Sequence, residues 1–276
     1  MEKNNDFHNF KILTIYSTVA YLVAYVLVYL SYNIVTGLVG RFYDIKTILV
    51  QNKLFFITPD FSALWNFDSA FYVFSLGTVF LFIIFFVMLA VYKHYQYKES
   101  IKKIFLFWIV LHCINRASGS FIIGTIFHLY YSNVVLYWLF VGRTYRILLF
   151  ILVSLFLFFI GGATTKPMLL STMKFSFVEE LKRHYFVLHQ AIYPWFISSI
   201  ILIIVHIPKY AYTENFLSIT MLVLLFPSFF NHIDVYLKLP EYDDELPAYK
   251  IPWKYIIWGL IIIVTFRVGL HFGIAF

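Results

Sequence analysis

Four arginines stand inside long apolar stretches: Arg116, Arg143, Arg146 and Arg267. A guanidinium keeps its charge under essentially all conditions. At the middle of a membrane helix it costs about 2.5–3.5 kcal/mol even on the lenient insertion scale. Its planar fork suits two-point contacts to phosphates and carboxylates. The chemistry these residues point to is therefore the holding of an anion away from water.

Their spacing puts them on shared faces. Arg143 and Arg146 are three apart, one side of a helix. His112, Arg116, Ser120, Gly124 and His128 recur every four residues, with Asn115 and Gly119 beside them. Arg267 and His271 are four apart. Such stripes belong toward a bundle interior or a wet cavity. The expected anion site comprises Arg116, Arg143, Arg146 and Arg267, with His112, Asn115, Ser120 and His271 as further polar contacts.

The elements that carry them follow from the 30 Å hydrocarbon core, which takes about 20 apolar residues per helix. Spans are expected at 12–36, 71–92, 104–128, 134–162, 186–207, 215–231 and 254–275. The chain of 276 residues is 62% hydrophobic and 13% charged, too apolar for a soluble domain. The expected fold is all-α: one polytopic bundle of about seven spans over residues 1–276, without an internal repeat or a separate soluble domain. On these boundaries all 14 Asp and Glu lie in termini or connections. A turn at Tyr130–Asn133 places Arg116 and Arg146 at matching depth, and the four arginines fall about 13–20 Å from the outer ends of their spans.

Three connections have character of their own. Residues 37–70 are partly apolar and are expected to rest on or dip into the membrane. Residues 165–185 mix Phe175, Phe177, Val178 and Leu181 with Glu179, Glu180, Lys182 and Arg183, as an interfacial amphipathic helix does. Glu241–Glu245, between Pro240 and Pro247, reads as a solvated loop. Pro194 predicts a kink near the start of the fifth span.

The positive-inside rule sets the orientation. With the amino terminus in the cytoplasm, only Arg41, Lys46, Lys53 and Lys209 lie outside, and thirteen of the 21 Lys and Arg lie inside. The net charge of +7 is spread over these loops, which excludes a nucleic-acid face. Codon-biased Lys, Asn, Tyr, Phe and Ile usage fits a bacterial inner membrane. Cys113 is the single cysteine, so neither an internal disulfide nor a cysteine metal cluster can form. It reads as a buried structural thiol, and no metal site is expected.

Catalytic constellations are weak. No His-Glu-x-x-His is present, and Gly161-Gly162 lacks the spacing of a phosphate loop. Ala117-Ser118-Gly119 and His271-Phe272-Gly273 resemble the serine and histidine segments of rhomboid proteases, but Arg116 stands where that pattern has glycine. The absence of intramembrane carboxylates argues against proton or sodium coupling, though not against anion transport. The reading that results is a binding protein rather than an enzyme. It holds an anionic membrane lipid or isoprenoid phosphate between the third, fourth and seventh spans, alone or as a subunit of an envelope complex. Three alternatives stay open. Asp44, Asp60 or Asp68 of the first connection could fold inward to the arginines, with snorkelling and backbone carbonyls satisfying others, Arg267 most easily. The arginines could meet acids of a neighbouring membrane subunit. Or His112, His128, His189, His206 and His271 could supply ligands to a haem whose propionates pair with arginine.

Overall fold

The computed structural model describes residues 2–98, 100–129, 131–208, 211–237, 251 and 253–276. The acidic run at 241–245 and Lys209 lie outside the described residues. The elements are α1 (Glu2–Phe42), β1 (Thr47–Leu49), β2 (Leu54–Phe56), α2 (Phe67–Tyr95), α3 (Lys102–Phe127), α4 (Tyr131–Trp138), α5 (Arg143–Ala163) and α6 (Thr165–Leu170). There follow α7 (Arg183–Val187), α8 (Tyr193–His206), α9 (Tyr212–Asn231), α10 (Trp253–His271) and β3 (Ile274–Ala275). Among the described residues, seven helical segments are long and apolar enough to cross a membrane. The fold is all-α, a multi-pass helical bundle.

The bundle is organised around α3. Almost all of that helix is buried, whereas α5 and α10 expose large apolar side chains along most of their length. A polar stripe therefore sits in the middle, and Leu, Ile and Phe face outward, as lipid surroundings favour. Close approach requires small residues at several places, Gly124 and Gly161 among them. A side chain at Gly124 would strike Ser132 of α4, and one at Gly161 would lie 2.2 Å from the Leu224 carbonyl of α9.

One end of the bundle carries a lid. β1 pairs antiparallel with both β2 and β3, giving the order β2-β1-β3. Three core side chains hold it down. Tyr29 Oη donates to Val50 O at 2.6 Å, His206 Nε2 lies 3.1 Å from Gln51 O, and Tyr131 Oη bonds both the amide and the carbonyl of Leu54. The connection at 37–70 thus covers the core as a hairpin. Its backbone groups are satisfied by a third strand and by buried side chains, a better outcome than leaving them in lipid.

Residues 165–185 also differ from expectation. They form α6 and short 3-10 turns, and Phe175, Phe177 and Val178 are buried inside the bundle. Phe177 packs on Phe10 with ring centroids 5.2 Å apart. Lys103, expected in a loop, is fully buried. Its Nζ donates to Leu170 O and Gln96 O and sits 4.7 Å from the Phe175 ring centre. Ahead of Pro194 a π-helical turn, Leu188–Ile192, interrupts the fifth span.

The fourth span is the largest correction. The stretch 134–162 is not one helix. α4 ends at Trp138, Phe140 takes a left-handed φ of 53°, and Gly142 is extended before α5 begins at Arg143. Leu139, Phe140 and Val141 carry the apolar run across the break, so hydropathy alone does not mark it.

Candidate functional site: a buried arginine–glutamate centre and a basic groove

The structure does not bring the four arginines to one cavity. Arg116 sits in α3 eleven residues before Phe127, about 16 Å of helical rise. Arg143 and Arg146 occupy the first turn of α5, at the lid end. Arg267 is exposed on α10, where it donates to Ile204 O and Ile207 O at the last turn of α8. That is a common way for a basic side chain to satisfy free helix carbonyls. His271 is likewise exposed and lies edge-on to Phe272.

Arg116 is paired. Its guanidinium forms a salt bridge with the carboxylate of Glu214, and both side chains are at least 95% buried. Glu214 lies in the first turn of α9, one residue beyond the expected span boundary. This acid sits at the edge of a helix rather than in its middle, where the apolar run does not mark it as part of a span. Tyr25 Oη donates to the same carboxylate oxygen at 2.9 Å. The rings of Tyr29, Tyr32 and Tyr25 surround the guanidinium, with centroids 5.1, 5.7 and 5.8 Å from Cζ. Aromatic faces at these distances add a cation–π attraction. The spacing of the three tyrosines along α1, four and three residues, places them on one face toward α3.

The neighbours of this pair are organised as well. Asn115 Nδ2 donates to Leu217 O at 2.8 Å, and Thr220 Oγ1 donates to Asn115 Oδ1 at 2.9 Å. These contacts fix α9 against α3. His112 lies against Tyr21, with centroids 4.3 Å apart, and its Nε2 is buried without a hydrogen-bond partner among the described residues. It faces a space of about 10 Å³ that is also lined by Arg116 and Glu214. A cavity of that size takes about one water. Ser120 is not part of this centre. Its hydroxyl donates to Ala117 O, and its carbonyl accepts from Ser132 of α4.

The second site is a groove of about 430 Å³ between the end of α3 and the start of α5, lined by Thr125, Ile126, His128, Arg143, Arg146 and Ile147. Arg146 is held in place there. Its Nε donates to Val141 O at 3.0 Å and its Nη1 to Asn133 Oδ1 at 2.7 Å, with His128 Nδ1 at 3.2 Å. Arg143 has no hydrogen-bond or ionic partner among the described residues. The first turn of α5 has no side-chain cap, so its free amides add a positive end to the same place.

The histidines do not gather around a haem-sized space. His189 Nδ1 is 2.7 Å from Thr14 Oγ1, both ring nitrogens of His206 face carbonyl oxygens, and the space of about 10 Å³ beside His112 is far too small for a haem. Among the described residues no three His, Cys, Asp or Glu side chains group as metal ligands. Cys113 is buried. Ser118 is buried and His271 exposed, an arrangement without the contact a serine–histidine pair needs. No protein-family model, no curated protein and no solved structure matches the chain.

Proposed function

We propose that this multi-pass protein binds the phosphate of an anionic or isoprenoid lipid in the groove between α3 and α5. It would lie in a bacterial inner membrane, with the lid end facing outward and the amino terminus in the cytoplasm. The observation that supports this is the convergence of Arg143, Arg146 and His128 on one open groove at an uncapped helix start. Two guanidinium forks can take up to four phosphate contacts. The uncapped amides favour the same charge. Ile126 and Ile147 offer the beginning of the lipid chain an apolar wall. Arg143 contributes a cation that the rest of the described protein leaves unused. The four-arginine cavity expected from the sequence contracts to these two, with His128 replacing His112 as the neighbouring imidazole.

Native mass spectrometry of protein released from mild detergent tests this. Wild type is expected to retain phosphatidylglycerol or a polyprenyl phosphate in preference to phosphatidylcholine. Each charge-assisted contact contributes about 1.5–3 kcal/mol. The double substitution Arg143→Ala with Arg146→Ala should therefore lower retention at least about tenfold. Equal retention by wild type and the double variant refutes the groove as the lipid site.

A further inference from the structure

Away from the lid, three helices leave a groove of about 240 Å³ on the side of the bundle. α3 and α10 both pack on α1, which forms its floor. Tyr16, Val19, Ala20 and Val23 line it from α1, and Tyr255, Trp258, Gly259 and Ile262 from α10. Both sets follow the i, i+3, i+4, i+7 spacing of a single helix face. A side chain at Gly259 would come 2.7 Å from Val19 Cγ1, so glycine is what lets α10 lie directly on α1. The third wall is the first turn of α3, with Lys102 and Phe105.

This groove has a polar end and an apolar end. α1, α3 and α10 all run toward the lid, so Tyr16, Lys102 and Tyr255 lie farthest from it, and Val23, Phe105 and Ile262 reach deepest. Tyr16 to Val23 is seven residues, about 10 Å of helical rise. That length fits within the hydrocarbon of one leaflet, about half of 30 Å. Lys102 is exposed, and its ammonium has no hydrogen-bond or ionic partner among the described residues. The same holds for Lys254, which precedes Tyr255 in the first turn of α10. No acid lines the groove among the described residues. The rings of Tyr16, Tyr255 and Trp258 are of the kind that settles at headgroup level.

Size and polarity together select the occupant. Ordered water needs two to four polar partners, and the walls below Lys102 offer hydrocarbon. A helix about 10 Å across would displace on the order of 800 Å³ over the same length, several times the space present. A single hydrocarbon chain is slender enough, and a chain that enters here brings its headgroup to the lysines.

We propose that this groove is a second lipid site, in the leaflet opposite the lid: one acyl chain of an anionic phospholipid lies along α1 between α3 and α10, and Lys102 holds its phosphate at the mouth, with Lys254 adding to the positive field there. Basic positions between membrane helices at the headgroup level serve this purpose in general. The site is at the other end of the bundle from the groove between α3 and α5 and does not rest on it.

The test uses the full chain in nanodiscs that carry a trace of phosphatidylglycerol with a diazirine midway along one acyl chain, or the matching phosphatidylcholine. After irradiation, adducts are mapped by peptide mass spectrometry. Wild type is expected to be labelled on residues 16–23 and 255–262, and more by phosphatidylglycerol than by phosphatidylcholine. Lys102→Gln should cut that preference about fivefold, the worth of one lysine at a membrane surface. Ala20→Phe, which fills the floor, should remove the groove adducts and leave those on the outward face of α5. Arg143→Ala with Arg146→Ala should leave the groove adducts unchanged, so the two lipid sites stand or fall separately. Three results overturn the proposal: equal labelling of wild type by the two probes, a preference unmoved by Lys102→Gln, or groove adducts undiminished in Ala20→Phe. Should Ala20→Phe fail to fold, Lys102→Gln, at an exposed position, decides.

Discussion

Replacing Arg116 by methionine leaves the Glu214 carboxylate inside the bundle with the Tyr25 hydroxyl and without its cation. Both side chains of the pair are buried, so solvent cannot screen or replace the lost contact. Loss of one member of a buried pair costs about 3–5 kcal/mol. The three tyrosine rings lose their cation as well, which adds to the cost. Glu214→Met should be destabilising by a similar amount, because it strands the guanidinium instead. The double variant replaces an ion pair by two apolar side chains. It should be far more stable than the sum of the single losses, and no less stable than either single variant. Reversible unfolding in mixed micelles, followed by tryptophan fluorescence and helical circular dichroism, gives the four free energies of the cycle. Single losses below about 1 kcal/mol, or an additive cycle, would show that the pair is not the desolvated contact its burial implies.

Two more expectations concern packing and pH. Gly161→Ala places a methyl group 2.2 Å from the Leu224 carbonyl and should cost about 1–3 kcal/mol by forcing α5 away from α9; unchanged melting would refute the tight crossing. His232, beyond the end of α9, is buried, and that burial lowers its pKa from the ordinary value. The unfolded chain then binds a proton more readily than the folded one, so stability should fall as pH drops below about 6.5. His232→Gln should flatten that part of the melting-temperature profile, and an unaltered profile would assign the slope elsewhere.

The spans could be read from the sequence because a membrane helix needs a run of apolar residues and little else decides it. The polar stripe on α3 was also readable. His112, Arg116, Ser120 and Gly124 recur every four residues and are all inside the bundle. What failed depended on helix ends. Glu214 reads as part of a connection because it follows Thr213 at the margin of an apolar run, and one turn of helix suffices to bring it to Arg116. The break at Leu139–Gly142 had Gly142 as its only local signal, and an apolar run gives no reason to stop there. Arg143 and Arg146 moved with that boundary from mid-span to a helix start. The lid was unreadable for a different reason. Its third strand comes from residues 274–275, and pairing across such a separation leaves no periodic trace in either segment.

That pairing also orders the birth of the molecule. β1 and β2 can meet as soon as the first connection has been made, but the second edge of β1 waits for residues made after the seven candidate spans. Until α10 has been inserted against α1, the hairpin presents open amides and carbonyls. The loop to be closed holds almost the whole chain, so sheet completion belongs among the slow, late steps of folding. A nascent chain halted before its last strand would expose an unpaired strand edge of the kind that quality-control proteases and aggregating partners find.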